Sequence, residues 1–164
     1  MTYNELLDEM DSKNCRIYEM NFKSAAKGLC IDNNVFISKK LDGDTERKCI
    51  LAEELGHIMT TQGNILDNTK AENRKQELQA RAYAYDLLIG LDGILLAYMK
   101  HCRSIDEFAD FLDVTKPFFE DALVYYARKY GDFVEYKTYT IRFSPCLYVF
   151  TAEEWNNLKN EGNI

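Results

Sequence analysis

Two long helical stretches in the middle of the chain constrain its fold more than any other feature. Residues 45–62 read as one helix, led in by the Asp42-Gly43-Asp44 turn and broken by Gly63-Asn64. Residues 69–89 read as a second, polar at its start (KAENRKQELQ) and apolar at its end (ARAYAYDLLI). Ala80, Ala84, Leu87 and Leu88 form the apolar stripe of this second helix, and its small alanines let another helix approach closely. Strands are short and gathered near the two ends, so α+β is expected rather than alternating βαβ units.

Local signals place the flanking elements. Thr2-x-x-Glu5 is a capping-box pattern opening a helix over residues 2–13, with Leu6, Leu7 and Met10 on one stripe. Residues 15–20 (CRIYEM) predict a strand. Residues 28–32 and 35–38 predict a β-hairpin around Asn33-Asn34, whose side chains tolerate positive φ. A shorter helix is expected over 91–102, and a capping box at Ser104-x-x-Glu107 opens another through Leu112. Thr115 and Pro117 start the next, which runs to about Lys129 and stops at Gly131. Residues 133–136 and 139–143 alternate as a hairpin does, and Thr151-x-x-Glu154 caps a last helix carrying Trp155 and Leu158.

Composition excludes several classes of function. A length of 164 residues with 46% hydrophobic and 13% aromatic content suits one domain, or one with a small appendage, and a sizeable core. A net charge of -7 argues against a sequence-independent grip on nucleic acid, which needs a basic surface. The five cysteines are odd in number and none has C-x-x-C spacing, so neither a disulfide framework nor a zinc ribbon is indicated. The acidic amino terminus is not a signal peptide, and no run approaches ~18 consecutive apolar residues. A reduced, cytoplasmic protein with no membrane attachment is expected. Two histidines in the whole chain rule out a three-histidine metal site.

The chemistry-bearing segment is Cys49-Ile-Leu-Ala-Glu-Glu-Leu-Gly-His57. Glu53 and His57 are four apart on a helix, so both project from one face, with Glu54 on its edge. The spacing is that of H-E-x-x-H, where the outer pair holds zinc and the central Glu activates water. Gly56 costs ~1 kcal/mol inside a helix, so close approach by another backbone or a substrate is expected there. A catalytic ion needs a third ligand. Glu72, Glu77, Asp86, Asp67 and His101 are candidates, with Glu77 best placed, at the edge of the apolar stripe. Its competing reading is a surface i,i+4 ion pair with Arg81. Tyr83 and Tyr85 are able to donate to an oxyanion but read as core aromatics. His101 beside Cys102 reads as a helix C-terminal histidine next to a small buried thiol.

ILAEELGHIMTTQGNILD, NRKQELQARAYAYDLLI and SIDEFADFLDVT together resemble the ImmA/IrrE family of metallopeptidases, in the branch carried by prophages and mobile elements of Gram-positive bacteria. The family's second helix reads Glu-x-x-Ala-x-x-aromatic-Ala, here Glu77, Ala80, Tyr83 and Ala84. The resemblance implies a zincin-like helical core with a small N-terminal β-sheet over residues 1–102. A C-terminal helix pair plus β-hairpin over 103–164 would pack on it as one compact unit. It also implies Glu54 as general base and Glu53, His57 and Glu77 as metal ligands, with Glu53 departing from the usual His. Such a one-His, two-carboxylate set holds Zn²⁺ but shifts preference toward Mn²⁺ or Fe²⁺. The implied activity is metal-dependent cleavage of a helix-turn-helix repressor, which derepresses prophage or mobile-element genes. The alternative is a non-catalytic binding protein that keeps the fold and sequesters the repressor.

Residues 104–126 read as helix, turn, helix. Six acidic residues against Lys116 between positions 104 and 121 would repel phosphate, so partner docking is expected there rather than DNA binding.

Overall fold

The computed structural model describes residues 1–60 and 70–161, with only the backbone of 70–72. Chain order gives α1 (Tyr3–Ser12), β1 (Arg16–Met20), β2 (Gly28–Ile31), β3 (Asn34–Ser38), α2 (Gly43–Thr60) and α3 (Lys70–Leu88). There follow α4 (Gly90–Met99), α5 (Ile105–Leu112), α6 (Lys116–Tyr130), β4 (Phe133–Tyr136), β5 (Tyr139–Arg142), β6 (Tyr148–Thr151) and α7 (Ala152–Asn160). The architecture is α+β, a helical core with a small three-stranded sheet on the N-terminal side and a second sheet near the C-terminus. The expected break at Gly63-Asn64 lies outside the described residues.

Caps form where short-range chemistry places them. Thr2, Ser104 and Thr151 each close a capping box with the Glu three residues on, satisfying donors that the first helical turn leaves unpaired. Thr115 caps α6, with Pro117 in its first turn.

The N-terminal sheet has the order β1-β3-β2, with β1 parallel and β2 antiparallel to β3. Val35 and Ile37 on the central strand are fully buried against the helices, where Leu6 and Met10 of α1 and Leu51 and Leu55 of α2 join one core. The hairpin register differs from expectation by one residue. Asn34 pairs with Ile31, so the connection is Asp32-Asn33, and Asp32 takes the positive φ of 52°. Aspartate tolerates this conformation for the same reason as asparagine.

The C-terminal strands form a three-stranded antiparallel sheet, β4-β5-β6, rather than a lone hairpin. The added strand follows the Ser144–Leu147 turn and buries Val149 and Phe150. At four residues it is too short to show a period in the sequence. The segment Asn73–Met99 has the length and apolar composition of a membrane span. It is divided at Ile89 into α3 and α4, and its apolar residues Ala80, Ala84, Leu88, Ile94 and Leu95 are buried in the core.

Candidate metal centre

α2 and α3 are in close contact, set by the backbones of Gly56 and Ala80. A Cβ on Gly56 would lie 2.2 Å from the Ala80 carbonyl oxygen, so only glycine allows the two backbones to come this close. The close approach expected from a helix-interior glycine is therefore made by the next helix. It brings His57 of α2 within reach of Glu77 of α3, where His57 Nε2 lies 3.3 Å from Glu77 Oε2.

On the other side, β2 runs along α2. A Cβ on Gly28 would fall 2.3 Å from Glu54 Oε1, so the Glu54 carboxyl lies directly over bare strand backbone. The sequence reading missed Gly28. A glycine opening a strand is the signal that could have found it, since it often marks a close backbone approach.

Between these elements opens a cavity of about 880 Å³, lined by Gly28 and Cys30 of β2, Glu53, Glu54 and His57 of α2, and Glu77 of α3. A second cavity of about 700 Å³, between α5, α6 and the turn before β6, brings no imidazole to its walls.

Four carboxylates line the first cavity, those of Asp32, Glu53, Glu54 and Glu77. Glu54 is 9% exposed, and no donor pairs with its carboxyl among the described residues. Burial, reinforced by the charges of Glu53 and Glu77, pushes its pKa up to about 7. Burial also raises the Glu53 carboxyl above the ordinary range. Glu77 and Asp121 add to that shift, and Arg81 and Lys27 oppose it. Burial and nearby Glu54 push the Cys30 thiol up to about 11, so it stands protonated.

Glu77 lines the cavity and also makes the i,i+4 ion pair. Its Oε2 faces His57, while its Oε1 accepts a hydrogen bond of 2.7 Å from Arg81 Nε, the i,i+4 pair. The other third-ligand candidates stand elsewhere or beyond description. Asp86 is paired with Lys129, 2.9 Å away, and His101 is exposed beyond the end of α4. Asp67 and the Glu72 side chain lie outside the described residues. Tyr85 is buried against Phe118 and Tyr125, as a core aromatic is.

Two ligands of one tetrahedral ion with bonds of ~2.0–2.2 Å stand roughly 3.3–3.6 Å apart. The His57–Glu77 separation fits that spacing. As the side chains stand, no three His, Cys, Asp or Glu among the described residues gather tightly enough to hold an ion. Glu53, on the same face of α2, lines the cavity beside the pair.

The family model of the IrrE N-terminal-like domain (Peptidase_M78) matches residues 10–123, from the end of α1 into α6. No curated protein and no solved structure matches the chain. The matched span takes in both sides of the cavity, β2 as well as α2 and α3, and covers well over half the sequence. On that match the chain belongs to the IrrE N-terminal-like family, which is of metallopeptidase type.

Proposed function

We propose that the chain is a metal-dependent endopeptidase that cleaves a helix-turn-helix repressor and so derepresses prophage or mobile-element genes. The observation that carries this reading is the His57 Nε2–Glu77 Oε2 pair, set at ligand spacing beside the buried Glu54 carboxyl, which has no donor among the described residues. His57, Glu77 and Glu53 would hold the ion, Zn²⁺ or the Mn²⁺ or Fe²⁺ that a carboxylate-rich set also suits. When bound, such an ion supplies Lewis-acid polarisation and a more acidic water.

The remaining steps belong to the chain. β2 is the edge of its sheet and borders the cavity, so an extended segment of the repressor can pair along its free backbone. Glu54 takes the proton of the attacking water on a carboxylate oxygen and hands it to the departing amide nitrogen. A carboxyl titrating near neutral pH serves both transfers. A repressor substrate and cysteines without a disulfide pattern support a cytoplasmic location, with no membrane and no direct nucleic-acid contact.

The test is cleavage of a purified helix-turn-helix repressor, with Zn²⁺ or Mn²⁺ added. Glu54→Gln should slow cleavage by at least ~10²-fold while leaving repressor binding intact. Undiminished cleavage by Glu54→Gln would show that another residue is the base. Repressor binding without cleavage by the metal-loaded wild type would replace proteolysis with sequestration.

A further inference from the structure

We propose that Arg81 is the resident cation of the carboxylate cluster and that an incoming metal ion displaces it from Glu77, so that loading exchanges one cation for another. The inference rests on the metallopeptidase reading above.

The Glu77 carboxylate is divided between two partners, His57 on one oxygen and Arg81 on the other. Glu53 and Glu54 add two more carboxyls to the same cavity. Lys27 is the other cation at the cavity wall, but it is held by Glu46 at 2.7 Å. Arg81 is therefore the cavity-wall cation that pairs with a carboxylate of the cluster among the described residues. Its field reaches Glu53 as well as Glu77, and Lys27 adds a smaller part at Glu53.

Two considerations turn this contact into an exchange. A dication on Glu77 Oε2 and a guanidinium on Oε1 of the same carboxylate would repel each other at such short range. The bond that Arg81 must give up is weak, because a solvent-exposed i,i+4 pair contributes little. The Arg81 side chain is 43% exposed, so it can swing into water without moving backbone. The backbone itself is pinned, since Ala80, the preceding residue, packs against Gly56. Only the side chain yields.

The two carboxylates of the proposed ligand set give this device a role. A set of Glu53, His57 and Glu77 carries one more negative charge than a set of two histidines and one glutamate. Without an ion, Arg81 offsets part of that charge.

The experiment is titration of the metal-free full-length chain with Zn²⁺ and with Mn²⁺, read by calorimetry, for wild type, Arg81→Gln and Arg81→Lys. Arg81→Gln should bind each ion roughly tenfold more tightly, because the competing charge is gone. Arg81→Lys keeps the charge and should stay near wild type. Thermal unfolding gives a second readout: each ion should raise the midpoint of Arg81→Gln more than that of wild type. Equal or weaker binding by Arg81→Gln overturns the inference, since the guanidinium would then be a bystander or a brace for Glu77. That result leaves the metallopeptidase reading standing. If no variant binds either ion, that reading falls and the exchange falls with it.

Discussion

Lys48 and Glu54 lie fewer than two turns apart on α2, both are buried, and the fold treats their charges in opposite ways. The Lys48 ammonium is fully enclosed and meets three acceptors. Asp113 Oδ2 lies at 2.6 Å, the Met1 carbonyl at 3.1 Å and the Leu112 carbonyl at 3.4 Å. Burial pushes the Asp113 carboxyl up, but the bonds from Lys48 and Thr45 outweigh it and hold the group below its ordinary range. Glu54 meets the reverse treatment, with like charges around it and no donor among the described residues. A buried charge that ties elements together is neutralised on the spot. One left among its own sign, in a cavity, is the kind of group on which the proposed hydrolysis depends.

The largest expected effect breaks the neutralised end. Lys48→Ala takes the ammonium from two carbonyls and from the Asp113 carboxylate, which keeps its bond from Thr45, and leaves a cavity beside α2. Urea unfolding should show a loss of about 3 kcal/mol. Lys48→Met fills the volume with no charge to satisfy and should recover most of that loss. If Lys48→Ala were within ~1 kcal/mol of wild type, the ammonium would be hydrated rather than enclosed.

The opposite end should respond with opposite sign. The Glu54 pKa is raised on folding from 4.5 to about 7. Between those values the folded chain holds a proton that the unfolded chain has released. Stability of the metal-free protein should therefore fall as pH rises from about 4.5 to about 7 and level off above, by an amount on the order of 3 kcal/mol. Glu54→Gln should flatten that slope and be more stable than wild type at pH 8. An unchanged slope in the variant would assign the titration to another group.

The two ends were not equally legible in the sequence. Glu53, Glu54 and His57 fall on one helical face by spacing alone, and Gly56 announced a close approach. The Glu77–Arg81 pair and the Glu77 pocket position competed as readings, yet a carboxylate has two oxygens and the fold uses both. Lys48 carries no such signal. A lysine in a helix reads as surface, and its carboxylate partner comes from 65 residues along the chain. The same reason separates the helix caps from the strand pairings. Caps are set by neighbours three residues apart, whereas the parallel β1–β3 pairing and the third C-terminal strand depend on contacts that no local pattern encodes.

The smallest expected effects separate packing from chemistry at two glycines that flank the site. Gly56→Ala drives a Cβ into the Ala80 carbonyl, a backbone atom with nowhere to go. Chemical unfolding should show a loss of about 2 kcal/mol. The forced separation of α2 from α3 also carries His57 away from Glu77, so the affinity for Zn²⁺ should drop with the stability. Gly28→Ala meets first the Glu54 carboxyl, the far end of a flexible side chain, and the Ile50 Cγ2 methyl at 2.8 Å. Both can turn aside, so the stability cost should be only about 1 kcal/mol. Zn²⁺ affinity should hold, because neither His57 nor Glu77 has moved, whereas repressor cleavage should fall steeply as Glu54 is displaced. Equal loss of metal affinity in both variants would mean that β2, and not the α2–α3 contact alone, holds the His57–Glu77 pair at its spacing.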